Sequence, residues 1–198
     1  AALRFSTTAW DTADPELITI TEEWDDHDAA VPRSDVLTGR KAIHAATGLE
    51  PDTLIVSWST FQDLLCCDDI CDRLKYTAPL EVRPIDAQKA ALAQVLGVNR
   101  IAVGGGIYNT ANEGATASFS PVWDHEYAML ACCAREGDDL ETPAVGRTFL
   151  FTGDSPDLVV VESYRLEERR SDVIRLRQHL QEKVLRTEVA ILYENVTT

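Results

Sequence analysis

The carboxyl-terminal part of the chain alternates between apolar and polar positions. Within Val173–Leu185, the apolar residues Ile174, Leu176 and Leu180 occupy even positions, whereas arginine and histidine occupy odd positions. A period of two is typical of a strand with one buried face and one polar face. Thirteen extended residues span ~43 Å at ~3.3 Å per residue, about twice the usual strand length. The pattern predicts one long strand whose length suits contacts with neighbouring subunits.

Further extended segments flank this strand on both sides, at Val159–Arg170 and Glu188–Val196. Upstream, short apolar runs predict strands that are covered on both faces. A loop rich in small and amide side chains is predicted over Tyr108–Ser118, between the runs Arg100–Gly104 and Trp123–Cys133. The runs are Thr53–Ser57, Arg100–Gly104, Trp123–Cys133 and Thr148–Thr152.

Two stretches have apolar residues at helical spacing. A helix is predicted over Asp35–Thr47, with Ser34 as its N-cap and Gly48 as its end. A second helix is predicted over Pro84–Leu96. Because helices and strands do not alternate regularly, the fold class is predicted to be α+β rather than doubly wound α/β. Two short helices are also predicted, one capped by Ser59 and one over Ile70–Leu74.

The composition fits a folded protein with an uneven distribution of charge. Of 198 residues, 45% are hydrophobic, which allows one large domain or two small ones. The net charge is -15. Residues 1–72 contain 15 acids and 4 bases, whereas residues 165–186 contain 7 bases and 4 acids. The long strand is therefore a basic stripe on an acidic protein. It is either a solvated face with cross-strand ion pairs or a contact for phosphate or an acidic neighbour.

The cysteines do not form the pattern of a disulfide framework or a metal site. Adjacent cysteines rarely bond to each other because the geometry is strained, and their spacing is not that of a zinc site. The pattern fits buried thiols in a reducing cytoplasm, and neither a metal nor a cofactor is expected. The cysteines are Cys66, Cys67, Cys71, Cys132 and Cys133.

No catalytic constellation is found, so the chain is not expected to be an enzyme. Gly104, Gly105 and Gly106 follow a predicted strand, but position 109 is asparagine, so the dinucleotide-binding pattern is incomplete. The four histidines do not form a zinc-binding pair. His125 lies between two acids and is interpreted as a salt-bridged surface group.

Five local sequences occur in an informative order along the chain. Together they resemble the major capsid proteins of tailed bacteriophages, whose fold is named after phage Hong Kong ninety-seven. The resemblance spans roughly residues 34 to 196, and each piece is weak by itself. The five sequences are Ala45–Val56, Asp69–Tyr76, Leu96–Val103, Ile107–Gly114 and Asp172–Asn195.

The resemblance implies two lobes and a long carboxyl-terminal β-ribbon. The peripheral lobe would contain residues 1–50 and 162–187, and the axial lobe residues 51–161 and 188–198. The axial lobe would hold a central sheet flanked by helices. Its strands would be Leu54–Ser57, Arg100–Gly104, Glu126–Leu130 and Val189–Glu194.

The family also has an N-terminal arm, an extended loop and a spine helix. Here only a helix end, Ala1–Thr7, precedes the matching region. Either these elements are missing from this sequence or the protein is a reduced relative. The absence of an initiating methionine favours the first interpretation.

By resemblance, the function is structural: subunits assemble as hexamers and pentamers of an icosahedral head that encloses double-stranded DNA. The chain would be assembled in the bacterial cytoplasm and located in the virion, without membrane contact. Its main partner would be itself, with portal, scaffold or decoration proteins as further partners. Two alternatives stay open: an encapsulin-like nanocompartment shell, or a cytosolic α+β enzyme that uses the 104–118 loop.

Candidate contacts between subunits follow from this resemblance and from the charge pattern. The 104–118 loop, with Tyr108 and Asn109, is expected to point toward the capsomer axis. At least one arginine of the stripe is expected to pair with a carboxylate of an adjacent subunit, with Asp25 and Asp26 as candidate partners. The arginines are Arg169, Arg170, Arg175 and Arg177.

Overall fold

The computed structural model describes residues 17–74, 84–135, 137–151, 153 and 159–197. The expected helix end at Ala1–Thr7 lies outside these residues. The chain forms two compact units. The first unit comprises Ala1–Val145 with Arg186–Thr198, and the second unit comprises Gly146–Leu185.

The described helices and strands follow one another without regular alternation, so the α+β prediction is confirmed. The elements are β1 (Leu17–Thr19), α1 (Pro32–Thr47), β2 (Thr53–Ser57), α2 (Trp58–Cys66), α3 (Asp68–Leu74), α4 (Ile85–Leu96), β3 (Arg100–Gly104), β4 (Ile107–Asn109), β5 (Phe119–Pro121), β6 (Ala128–Ala131), β7 (Gly146–Leu150), β8 (Val160–Leu166), a 3-10 helix (Glu167–Arg169), β9 (Ser171–Arg177), β10 (Leu180–Val184) and β11 (Ala190–Glu194).

A five-stranded sheet organises the first unit, in the order β1-β11-β6-β2-β3. The strands β2 and β3 are parallel, and β6 runs antiparallel to both β2 and β11. All four strands expected for the central sheet lie in it, and β1 adds an edge next to β11. The strands β6 and β11 are almost entirely buried, which explains their continuous apolar sequences.

Four helices described in the first unit contribute to the same core as the sheet. Val36 and Ile43 of α1 are fully buried, as are Leu64, Ile70 and Leu92 of the other three helices. The helix α1 was expected in the peripheral lobe, but it packs into the core of the first unit. The boundaries of the two compact units therefore differ from those of the expected lobes. The division into peripheral and axial lobes stays a prediction.

Two predicted N-caps are wrong. The helix α1 begins at Pro32 after Val31, so Ser34 lies inside it. Proline fits the first helical position because its φ is fixed there and its missing N–H has no partner to lose. The helix α2 is capped by Ser57 rather than Ser59, and the Ser57 side chain accepts a hydrogen bond from the Thr60 N–H at 3.1 Å.

The predicted helix ends are confirmed at two glycines. Gly48 and Gly97 both adopt left-handed backbone conformations, with φ of 72° and 71°. Their N–H groups bond to the carbonyls of His44 and Ala93, which closes α1 and α4.

The predicted single strand over Val173–Leu185 is wrong. It is divided into β9 and β10 by Gln178 and His179. The strand β9 pairs with β8, whereas β10 pairs with β7, in separate two-stranded sheets. The alternation of apolar and polar residues continues past Gln178 and His179. A strand alternates in this way whichever strand it pairs with, so the pattern did not reveal the change of partner.

The predicted burial of the even positions is also wrong. Ile174, Leu176 and Leu180 are 68%, 67% and 47% exposed. In a two-stranded sheet neither face is covered unless another layer packs on it. The alternation therefore marks an apolar face that the described part of the chain leaves open.

Candidate assembly surfaces

The expected axial loop is a small hairpin formed by β4 and β5. Tyr108 and Asn109, which the sequence placed in a loop, lie in β4. The register pairs Tyr108 with Ser120 and Asn109 with Phe119. Tyr108 therefore lies on one face of the hairpin, while Ile107 and Phe119 lie on the other.

Large apolar side chains are exposed on both faces of this hairpin. Ile107 and Phe119 are 64% and 63% exposed, and Tyr108 is half-exposed. Tyr108 was expected as a contact residue from the sequence, whereas Ile107 and Phe119 were not, because a predicted loop has no assigned faces. Alternation within a recognised hairpin would have identified them.

The side chain of Asn109 organises the tip of the hairpin. Its Oδ1 accepts hydrogen bonds from the backbone N–H groups of Ala111 and Ser118, both at 3.0 Å. The Thr110 N–H also donates to the Ser118 carbonyl at 2.7 Å. The side-chain oxygen of Asn109 is thus occupied by hydrogen bonds within the loop. A role of Asn109 in contacts between subunits stays a prediction.

Trp123 supports the base of the hairpin. A Cβ on Gly104 would lie 3.0 Å from the Cβ of Trp123, which is tighter than nearly all Cβ contacts in proteins. The Trp123 Nε1 donates to the Tyr127 carbonyl at 2.8 Å, and the Val122 N–H donates to the Gly106 carbonyl at 2.8 Å. The first glycine of the triplet thus permits close packing with Trp123.

The acidic turn, residues 22–28, is held in place by its buried tryptophan. Trp24 is fully buried, and its backbone N–H donates to the Val196 carbonyl at 2.7 Å. Asp25 and Asp26, the expected partners of a neighbouring arginine, are exposed on this turn. The turn therefore presents carboxylates on a fixed backbone.

The acidic turn also affects a neighbouring carboxyl group. Burial is the largest cause of the raised pKa of Asp63, and Asp25 raises it further. His27 opposes this effect, since its Nε2 lies 3.8 Å from the Asp63 Oδ1. Asp63 is therefore a titratable neighbour of the acidic turn within the first unit.

The ribbon, defined as residues 160–177, has two chemically different faces. Its register places Val161 opposite Leu176 and Ser163 opposite Ile174. These four residues form an apolar patch on one face, and the next pair along the same face is the ion pair of Arg165 and Asp172. The opposite face carries the charged residues Glu162, Arg175 and Arg177. It also carries Tyr164 and three aliphatic residues, Val160, Leu166 and Val173.

Two arginines of the ribbon take part in ion pairs within it. Arg177 contacts Glu162 at 2.6 Å, and Arg165 contacts Asp172 at 3.3 Å. Both are cross-strand contacts, so the solvated-face interpretation holds for this part of the stripe. Among the described residues, no carboxylate pairs with Arg169, Arg170 or Arg175.

The cysteines are all free, but they differ in exposure. Cys67 and Cys132 are buried, whereas Cys66 is exposed, so the expectation of buried thiols is wrong at that position. Burial, with the nearby Asp52 and Cys133, raises the pKa of Cys132 to about 11. Asp52 also accepts a hydrogen bond from the Cys133 N–H at 3.0 Å. The described residues include no group of three or more metal-ligating side chains.

Two solved structures illustrate what the chain is similar to. A phage-related protein from Bordetella bronchiseptica RB50 has a TM-score of 0.76 at 21% identity, over 96% of this chain and 59% of that chain. A candidate prophage capsid protein from Escherichia coli CFT073 has a TM-score of 0.49 at 10% identity, over 91% of this chain and 52% of that one. No family model matches the chain, and no curated protein does.

The first of these comparisons defines the fold of the chain as that of the phage-related protein from Bordetella bronchiseptica. The chain spans about three-fifths of the length of that protein. No helix in the part of the chain that the structure describes has the length and apolarity to cross a membrane.

Proposed function

We propose that this chain is part of a structural subunit of a phage head. The observation that carries the proposal is the fold likeness to a phage-related protein over 96% of the chain. The five local sequences that resemble tailed-phage capsid proteins support the proposal independently, since they follow one another along this chain in the order expected for that family. The subunits assemble into hexamers and pentamers of an icosahedral, DNA-containing shell of the Hong Kong ninety-seven type.

In this proposal the chain works through its surfaces and not through catalysis. The hairpin of β4 and β5 packs around the capsomer axis, where its exposed side chains meet those of neighbouring copies. The arginines of the ribbon without an internal partner pair with carboxylates such as Asp26 of an adjacent subunit. Enclosed DNA makes little sequence-specific contact with the acidic surface.

Electron microscopy of the expressed and purified chain tests the proposal. Closed shells of uniform size that retain DNA in the presence of the packaging machinery are the expected result. Shells filled with protein cargo would support a nanocompartment instead. A preparation that sediments as single copies under all conditions, with no shells in the images, would contradict a shell-forming role.

A further inference from the structure

The described residues of the second unit form no buried core. Each described residue between 146 and 185 retains solvent exposure, and none is buried. Its strands form two separate two-stranded sheets. A two-stranded sheet is marginally stable in water unless further strands or another layer cover its apolar face. The second unit therefore needs an apolar surface to complete its packing.

The apolar face of the ribbon is the surface to be covered. Val161, Ile174 and Leu176 are 64%, 68% and 67% exposed and lie side by side across the two strands. Ser163 completes the patch opposite Ile174. Val161, Ile174 and Leu176 carry no charge, so this patch fits an apolar protein surface and not a phosphate backbone. The adjacent charges on the same face, Arg165 and Asp172, pair with each other.

Charge complementarity identifies the occupant as a second copy of this chain. Arg169 and Arg170 lie at the end of the ribbon, and both are exposed without an ion pair among the described residues. The acidic turn exposes Glu22, Asp26 and Asp28, so every other copy presents the carboxylates that these arginines need. Matched charges at the rim orient a contact whose centre is apolar.

The size of the patch indicates how the contact is used. Three aliphatic side chains cover much less than the ~800 Å² per partner of a stable pairwise interface. By itself, this contact would hold two copies of the chain together only weakly. It therefore acts together with other contacts between subunits in an assembly of many copies. We propose that the apolar face of the ribbon is buried against a second copy of this chain in the assembled particle, an inference that rests on the proposed self-assembly.

A pair of matched substitutions tests this inference. Ile174→Asp places a carboxylate in the centre of the apolar face. Ser171→Asp places the same group on the same strand but on the opposite face, where Ser171 is exposed. The expected result is that Ile174→Asp lowers the assembled fraction at least tenfold in sedimentation, while Ser171→Asp assembles like the wild type.

Folding of each variant is checked apart from assembly. The four tryptophans of the chain lie between positions 10 and 123, outside the second unit, so tryptophan fluorescence during thermal unfolding does not depend on a tryptophan in the ribbon. Trp24, which is buried, makes this signal sensitive to unfolding of the first unit. Both variants are expected to match the wild type in this measurement. Equal assembly of Ile174→Asp and wild type would overturn the inference.

Hydrogen exchange supplies a second measurement on the wild type. The amides of the ribbon are expected to exchange at least tenfold more slowly in assembled particles than in dilute single copies. Equal exchange in the two states would overturn the inference even if shells form, because the ribbon would then be as open in the particle as in solution.

Failure of the proposed function gives a different result. If the wild type forms no shells, that proposal fails, and the ribbon is judged by weak self-association at high concentration. Association that Ile174→Asp abolishes and Ser171→Asp retains would still support the ribbon contact. Wild-type chains that stay single at every concentration, or that bind duplex DNA through Ile174, would overturn it.

Discussion

The hydroxyl of Tyr193 donates a hydrogen bond to the backbone carbonyl of Asp35 at 3.2 Å, across 158 positions of sequence. Asp35 in turn accepts a hydrogen bond from the Trp24 Nε1 through its carboxylate, at 3.0 Å. The rings of Trp24 and Tyr193 pack with their centroids 5.9 Å apart. Burial raises the pKa of Tyr193, and Asp35 raises it further, so the hydroxyl stays protonated as a donor. This cluster joins α1, β11 and the acidic turn.

Gly39 provides the space for the Tyr193 hydroxyl, because a Cβ on this residue would occupy the position of that oxygen. Gly39→Ala is expected to destabilise the protein by about 2–4 kcal/mol, from overpacking and a lost hydrogen bond. In a Tyr193→Phe background the same substitution should cost at least about 1 kcal/mol less, because the oxygen is absent. Urea unfolding measures both values.

Gly105→Ala is the control for this pair, since nothing lies within 4 Å of a Cβ built there. It should change the free energy of unfolding little. Strict additivity of Gly39→Ala and Tyr193→Phe would show that the two residues do not share this space.

Asp35 makes the stability depend on pH. Burial raises its pKa, although the hydrogen bond from Trp24 opposes the shift. A carboxyl group with a raised folded-state pKa is protonated more readily in the folded protein, so its ionisation costs stability above that pKa. This cost disappears as the pH falls through the folded pKa toward the unfolded value of about 3.9.

Asp35→Asn should therefore be more stable than the wild type at pH 7, with a difference that narrows as the pH falls toward 4. The amide oxygen of asparagine can still accept the hydrogen bond from Trp24. Denaturation at several pH values measures the difference, with Asp26→Asn on the exposed acidic turn as the control for general charge removal. A difference that widens on acidification would contradict the assignment.

The cysteines should react at very different rates. Thiolate is the reactive form, and the pKa of about 11 at Cys132 leaves little of it near neutral pH. Cys66 is exposed and should be alkylated first, while the buried Cys132 should react at least about 100-fold more slowly. Peptide mass spectrometry after timed alkylation measures the order. A fast phase that persists in Cys66→Ser would show that another thiol is accessible.

Arg175 is expected to take part in assembly. It is exposed and has no ion pair among the described residues, so its charge is available to a neighbouring subunit. Arg175→Glu should block assembly and leave the first unit folded, whereas Arg175→Lys should retain most assembly because the charge is kept. Sedimentation at low and high salt measures this. Assembly of Arg175→Glu at both salt concentrations would refute the expected pairing.

Tyr108 is expected to contribute to the capsomer contact from its own face of the hairpin. Tyr108→Ala should lower capsomer formation by about tenfold or more, since a truncated aromatic contact at an interface commonly costs 2 kcal/mol or more. Particle counts in electron micrographs measure the effect. Ser120→Ala, directly across the hairpin, is the matched control and should assemble normally. Unchanged shells in Tyr108→Ala would rule out this contact.

Local patterns predicted most of the first unit. The buried strands at 53–57 and 100–104 follow from short apolar runs, and Gly48 and Gly97 follow from the need for a left-handed residue after a helix. The caps at Ser34 and Ser59 were misplaced for two reasons. The helix α1 starts earlier, at Pro32, without a side-chain cap, and Ser57 caps α2 before Ser59 is reached.

The sequence by itself determined the alternation of the carboxyl-terminal strands, the excess of acids and the order of the elements. These are properties of neighbouring residues, so they can be recognised without knowing what lies across space. Only the tertiary structure decided that 173–185 is divided between two partner strands and that Ile174 and Leu176 are exposed. Period-two alternation requires that one face of a strand be apolar, but what covers that face depends on distant residues or on another molecule.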